Sequence, residues 1–374
     1  MAMSELSIAF TGDITFARYF TAVVSEAALL DESVSDFLKS ADHCIGNIEG
    51  AVTHIEDASA REFRHHSEAC YAPMIRGMGI DIWSIANNHA LDFGLDGIAE
   101  TYRNAEAVGC SVTGVCLAEE TPKPLILPDA GGIGIISVTY SEKAMKSFAG
   151  HYTDWTAREL ISKRIQEVKL QNRWCVVLAH GGEEFSDMPT PMTRAIYRDY
   201  LAMGADIVVG HHPHTVQNYE ICDDKIIFYS LGNFIFDTDY QRAQVHTDTG
   251  ELLCIRFTET GYTWTSCPIL INREENRIEK CSDPPVFVNM DSETYKKLWP
   301  YAAVGLSKAE RNIVKYLNPK KYGNFSKMTW FARDLRAMKD KKKRQMLLGK
   351  YAGGVKTLLH RREDRAMMEY LMHL

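Results

Sequence analysis

Short apolar runs alternate with amphipathic stretches over roughly the first 250 residues of the chain. That alternation predicts an α/β layered fold, in which each strand or helix has a face to bury against a neighbour. Strands are predicted at 6–10, 44–47, 82–86, 109–113, 133–138, 175–179, 207–209 and 226–229. Helices are predicted between them. One, 95–108, carries apolar residues at 95, 98, 102, 105 and 108 and is closed by Gly109. Others are predicted at 158–171 and at 193–203, the last preceded by Pro191 and stopped by Gly204. Two runs, 251–258 and 262–270, read as strands joined by a Glu-Thr-Gly turn, a β-hairpin at a sheet edge. Past Asn272 the character changes, and Pro284-Pro285 marks a boundary. The pattern predicts a body at 1–284 and a basic, mainly helical C-terminal extension at 285–374, with a lysine-rich helix at 330–348.

Composition narrows the class. No apolar run reaches 18 residues, so no transmembrane helix is predicted. The first residues lack the basic and apolar regions of a secretory signal. Nine cysteines are scattered singly with no CxxC pair, which predicts reduced thiols rather than a disulfide framework or a thiolate metal site. A cytoplasmic location is expected. The net charge of −7 is unevenly spread. From Gly305 onward there are 18 Lys or Arg against 6 Asp or Glu, leaving a body of net charge −19. An acidic body with a basic tail implies a contact between the tail and something anionic.

Candidate chemistry sits where predicted strands end, the usual place for α/β sites. One strand runs into Thr11-Gly12-Asp13, a second into Asn47-Ile48-Glu49, and a third into Asn87-Asn88-His89-Ala90-Leu91-Asp92. Two later strands run into His180-Gly181-Gly182-Glu183-Glu184 and Gly210-His211-His212-Pro213-His214. Each has a plainer reading. Asp13 fits a turn, Asn47 and Asn88 fit helix caps, and His180 fits a hydrogen-bonded core position. Three imidazoles in four residues have fewer structural uses. Carboxylate, imidazole and amide donors without thiolate suit divalent Mn, Fe or Zn. Two such ions on a bridging carboxylate acidify a water and clamp departing oxygens. His89 stands where an acid is needed to protonate a leaving group.

In order, these strings resemble the bacterial capsule-synthesis and poly-γ-glutamate family CapA, within the calcineurin-like metallophosphatases. The matching strings are Thr11-Gly12-Asp13 with Arg18, Asn47-Ile48-Glu49, and Ala86 to Gly94 with Gly97 and Thr101. They continue with His180-Gly-Gly-Glu-Glu184, Gly204-Ala-Asp206, Gly210-His-His-Pro-His214 and Tyr229-Ser-Leu-Gly-Asn233-Phe-Ile-Phe-Asp237. The resemblance spans roughly residues 5–240. It implies a four-layer sandwich of two mixed sheets flanked by helices, with two divalent ions at the strand ends. By resemblance, Asp13, Glu49 and His214 hold one ion. Glu49 bridges to the other, held by Asn88, His180 and His212, with His211 an alternative to His212. His89, Asp13 and Glu49 would carry catalysis, His89 as the acid. Arg18, His211, Glu184, Asn233 and Asp237 would bind substrate or support the ligands.

Two departures stand out. Ordinary metallophosphoesterases place a histidine two residues after the first aspartate, and this chain has Thr15 there. Many CapA-like proteins also begin with a membrane anchor, which this sequence does not show, and a direct part in polymer export is not expected.

Four functions compete. The first is a metal-dependent hydrolase of a phosphoester or related anionic small molecule or polymer. The second is a capsule or polyglutamate assembly factor without phosphatase activity. The third is a metal-assisted epimerase or isomerase. The fourth, a non-enzymatic binding module, would predict broken ligands, and only position 15 departs. In the tail, Lys339 and the lysines at 341–343 read as a solvated helical face rather than a nucleic-acid site. With Leu335, Met338, Met346 and Leu347 beside them, they would also suit contact with a membrane surface or a synthase.

Overall fold

The computed structural model describes residues 5–22, 29–54, 64–141, 143–285 and 287–299. The lysine-rich helix expected at 330–348, with its apolar stripe, and the Arg18 side chain lie outside the described residues. Along the chain come β1 (Leu6–Ile14), α1 (Glu32–Lys39), β2 (His43–Ile48), and the short pair β3 (Ala51–Thr53) and β4 (His66–Glu68). Next are α2 (Ala72–Gly77), β5 (Ile82–Ser84), α3 (Gly94–Ala107), β6 (Ser111–Thr113), β7 (Leu125–Leu127) and β8 (Ile133–Thr139). α4 (Arg158–Gln171), β9 (Trp174–His180), α5 (Pro191–Met203) and β10 (Ile207–His211) follow. β11 (Val216–Cys222), β12 (Lys225–Leu231), β13 (Asn233–Ile235), α6 (Asp239–Arg242), β14 (Thr249–Phe257), β15 (Tyr262–Asn272) and β16 (Arg277–Lys280) complete the order.

Helix ends follow local chemistry. The Asp31 side chain accepts from the Val34 N–H to cap α1. Thr190 caps α5 in the same way, Pro191 opens it, and Gly204 stops it at φ 120°.

Apart from β3 and β4, which pair only with each other, the strands form two mixed sheets. The first runs β16-β15-β14-β1-β2-β5-β6, with β13 also paired to β1. The second runs β11-β12-β10-β9-β8-β7. Period-two alternation decides which side chain enters which layer. Ile8, Phe10, Val176 and Leu178 point into the core between the sheets. Ala9 faces the outer layer, where Val34, Leu38, Ile75, Ile98 and Ala105 of α1, α2 and α3 pack. Cys175, Val177 and Ala179 face the opposite outer layer against Ile161, Ile165, Tyr197 and Leu201 of α4 and α5. The result is the expected four-layer helix–sheet–sheet–helix sandwich.

Parallel neighbours put the C-terminal ends of β1, β2 and β5 together on one sheet, and those of β9 and β10 on the other. Two glycines permit the closest approaches there. A Cβ on Gly12 would stand 2.3 Å from the Gly232 carbonyl oxygen, and one on Gly210 would stand 2.0 Å from that of Tyr229.

The first residues beyond the boundary drawn at 285 pack onto the body. Met290 N–H donates to the Tyr219 carbonyl (2.6 Å), and Tyr295 Oη donates to the Pro189 carbonyl (2.9 Å). Residues 292–299 are helical, and Tyr295 and Trp299 cluster with Met188 and Met290.

Candidate metal centre

Asp13 closes β1 level with Asn47 of β2 and Asn233 of β13. Its carboxylate is fully buried and accepts from Asn47 Nδ2 (2.7 Å) and from the His212 backbone N–H (3.3 Å). His214 Nδ1 stands 3.2 Å from the same carboxylate. Glu49 follows β2, its N–H bonded to the Ile14 carbonyl and its own carbonyl accepting from Thr15 Oγ1 (2.6 Å). Thr15 thus fixes the backbone of Glu49. Asn87 pins the same turn, donating to the Ile48 carbonyl (2.7 Å) and accepting from Gly50 N–H (3.2 Å).

His180 and His211 end β9 and β10 in register with each other. His180 Nε2 lies 2.9 Å from Asn88 Oδ1, so two donor atoms expected on one ion already meet. The His211 ring is spent elsewhere: its Nε2 donates to the Thr11 carbonyl (2.9 Å). His212 and His214 both adopt positive φ, 97° and 58°. Non-glycine residues held there store about 1–3 kcal/mol each, strain that clusters at functional sites. The His214 ring stands between the two carboxylates, Nδ1 3.2 Å from Asp13 Oδ2 and Nε2 3.8 Å from Glu49 Oε1, while the His212 ring packs beside His180.

The other expected residues are placed as follows. Asn233 Oδ1 is 2.9 Å from His214 Nδ1, while its Nδ2 donates to Gln241 Oε1 and the Thr247 carbonyl. It therefore holds His214. Asp237, 1% exposed, is clamped by Arg242 and by Arg273 Nε at 3.1 Å. Glu184 is half-buried and close enough to act electrostatically on Glu49 and His214. His89 Nδ1 lies 2.8 Å from Asp92 Oδ2, and its Nε2 is 3.9 Å from Glu49 Oε1. Phe185 stacks on the His214 ring, and Phe236 packs against the same ring at a tilt.

One residue escaped the sequence reading. The ligand atoms of His65, His89 and Glu49 all lie within 4.8 Å of one another, as do those of Asp13, Glu49 and His214. The available signal was the adjacent pair His65-His66 in a charged stretch. It was weak because no predicted strand ends there.

Electrostatics agrees with a cation centre. Burial pushes the Glu49 carboxyl well up, and the charge of Asp13 adds to the rise. Burial works against an imidazolium at His214, but Glu49 and Asp13 outweigh it and raise that ring. Burial, with His214 nearby, lowers His212 to about 3. Burial, with His212 beside it, likewise lowers His180 well below the ordinary imidazole range. The decisive test is pairing. Among the described residues, neither Glu49 oxygen has a hydrogen-bond partner, and neither does His212 Nδ1, although all three are buried. Buried polar atoms left unmatched cost several kcal/mol, about 1–3 each and more for a charge. A carboxylate and imidazoles so arranged fit divalent ions.

Fold and site together define a four-layer α/β sandwich with a buried carboxylate–imidazole cluster at its strand ends. The chain belongs to the bacterial capsule synthesis protein family PGA_cap, whose model matches residues 7–238. It is 28% identical over 252 residues to the PGA biosynthesis protein CapA of Bacillus subtilis, covering 64% of this chain and 65% of that one. It is 26% identical over 257 residues to the capsule biosynthesis protein CapA of Bacillus anthracis, covering 64% and 62%. The chain thus spans somewhat less than two thirds of the length of these relatives. Among solved structures, a hypothetical protein of Thermus thermophilus aligns at TM-score 0.41 and 13% identity, covering 70% of this chain and 99% of that one. A purple acid phosphatase of yellow lupin aligns at TM-score 0.33 and 11% identity, covering 78% and 58%.

Proposed function

We propose that the chain is a metal-dependent hydrolase acting on a phosphoester or related anionic substrate, in the service of capsule or poly-γ-glutamate biosynthesis. The observation that carries this reading is Glu49, a buried carboxylate without hydrogen-bond partners, set among histidines. Asp13, Glu49 and His214 would hold one divalent ion, and Glu49, Asn88, His180 and His212 a second. Bound there, the ions supply Lewis acidity and lower the pKa of a water. The chain's own residues orient the donors. Asn47 fixes Asp13, Asn233 fixes His214, and Asn87 with Thr15 fixes the Glu49 turn. The positive-φ backbone at His212 and His214 sets the His214 ring between Asp13 and Glu49 and the His212 ring beside His180.

The biosynthetic setting is supported by the family match and by the names of the two Bacillus relatives. Those names also favour a second reading, an assembly factor that binds ions and polymer without hydrolysis. Elemental analysis of the purified protein, followed by assays with phosphomonoesters and phosphodiesters in the same metal, separates the two. The hydrolase reading expects at least one bound ion per chain and turnover that falls by about 10²-fold or more in Glu49→Gln. Ions without turnover would support assembly, and fewer than one ion per chain would sink the two-ion centre.

A further inference from the structure

We infer that Glu49, His65 and His89 form a divalent-cation position of their own, on the same carboxylate that Asp13 and His214 approach. A carboxylate only accepts, so Nδ1 of His89, 2.8 Å from Asp92 Oδ2, carries the proton. Nε2 of the same ring stands 3.9 Å from Glu49 Oε1. That distance is too long for a hydrogen bond and suits two donors sharing one cation. A carboxylate behind a histidine is also the usual support of a metal-ligating imidazole.

The same Asp92 oxygen accepts the His65 backbone N–H at 2.9 Å, so one carboxylate places both histidines. The His65 ring meets His89 edge-on, with centroids 4.1 Å apart, and the three ligand atoms lie within 4.8 Å. The fold makes this approach deliberately close. β3 and β4 pair in parallel just after Glu49 and His65, and a Cβ on Gly50 would stand 2.1 Å from the His65 carbonyl oxygen. The independent pointer to a ligand is Glu49 itself, 0% exposed, with both oxygens lacking hydrogen-bond partners.

Two imidazoles and a carboxylate select a borderline ion such as Zn, Fe or Mn, and they leave coordination positions open to substrate. His89 thereby takes a ligand's duty in place of the proton delivery expected of it. The inference rests on the reading that the centre binds divalent ions, and it is independent of whether a phosphoester is the substrate.

The test is calorimetric titration of the metal-stripped full-length protein with Mn²⁺, with bound metal counted by elemental analysis. His65→Gln and His65→Ala are expected to lose one binding step, or to weaken it by at least the ~10–100-fold that losing a supporting carboxylate costs. Asp92→Asn, which keeps both rings, is expected to weaken the same step, while His66→Gln behaves as wild type. Unchanged stoichiometry and affinity in His65→Gln and Asp92→Asn, with near-ultraviolet circular dichroism intact, would overturn the assignment. Failure of wild type to bind Mn²⁺ would overturn it together with the metal-centre reading. Binding as expected, but with no turnover of any phosphoester, would uphold the cation position and remove only the hydrolase.

Discussion

At the scale of single residues, the donors at the strand ends were legible because each follows an apolar run that can only be a strand. Asp13, Glu49, His180 and the His212–His214 pair all converge as their positions in the sequence imply. What residue type could not tell was which polar group faces a substrate and which faces the protein. Asp237 is the clearest case. Expected in the pocket, its carboxylate lies between Arg242 and Arg273, 1% exposed. Asp237→Asn should therefore cost about 2–4 kcal/mol of stability, somewhat below the ~3–5 of a fully buried pair because both arginines keep some solvent contact. Denaturant unfolding measures that loss, and bound metal should stay constant. A variant of normal stability but raised KM would instead mean that Asp237 touches substrate. His65 was illegible for a different reason. Its approach to Glu49 depends on a parallel pairing between residues 51–53 and 66–68 that no local pattern announces.

At the scale of elements, all ten predicted strands form, and 158–171 is a helix at the predicted bounds. Alternation and length were strong signals there. Shorter elements such as β13 had none, since Asn233–Ile235 becomes a strand only because Gly12 lets it lie against β1. The hairpin β14–β15 also hides a polar anomaly. Leu253, Ile255 and Phe257 of β14 face the core between the sheets, and Glu251, on the same alternation, is 2% exposed. Burial raises its carboxyl to about 7, against a weaker opposing hydrogen bond with Ser266. The folded chain thus holds this proton more tightly than the unfolded chain. The stabilising contribution is full below the ordinary carboxyl pKa and is lost as pH rises through about 7. Glu251→Gln removes that loss. At pH 9 it should be more stable than wild type by up to about 3 kcal/mol, or about 3–6 °C in melting temperature. At pH 4 the two proteins should melt together. Melting curves at the two pH values decide, and an advantage that persists at pH 4 would rule out the buried carboxyl as its cause.

Across the whole molecule, charge divides the chain more sharply than fold does. Up to residue 304 the net charge is −19, and from Gly305 onward it is +12. An acidic body repels an anionic polymer or lipid surface at long range. If the chain serves such a polymer, the tail carries the opposite charge. Each Lys or Arg close to an anionic surface contributes about 1 kcal/mol at low salt, and the attraction decays within a Debye length of ~10 Å at 0.1 M. No helix among the described residues is long and apolar enough to cross a membrane. The full chain is expected to co-sediment with vesicles containing anionic lipid and to bind soluble polyglutamate at 50 mM salt. Both should weaken steeply by 0.5 M. Removal of residues 305–374 should abolish binding while leaving the bound metal and the melting temperature of the body unchanged, because the described chain is already anchored up to Trp299. Retention of polyglutamate alone by the shortened chain would place polymer recognition at the metal centre and leave the tail a membrane contact. Retention of both ligands would remove the tail from recognition altogether.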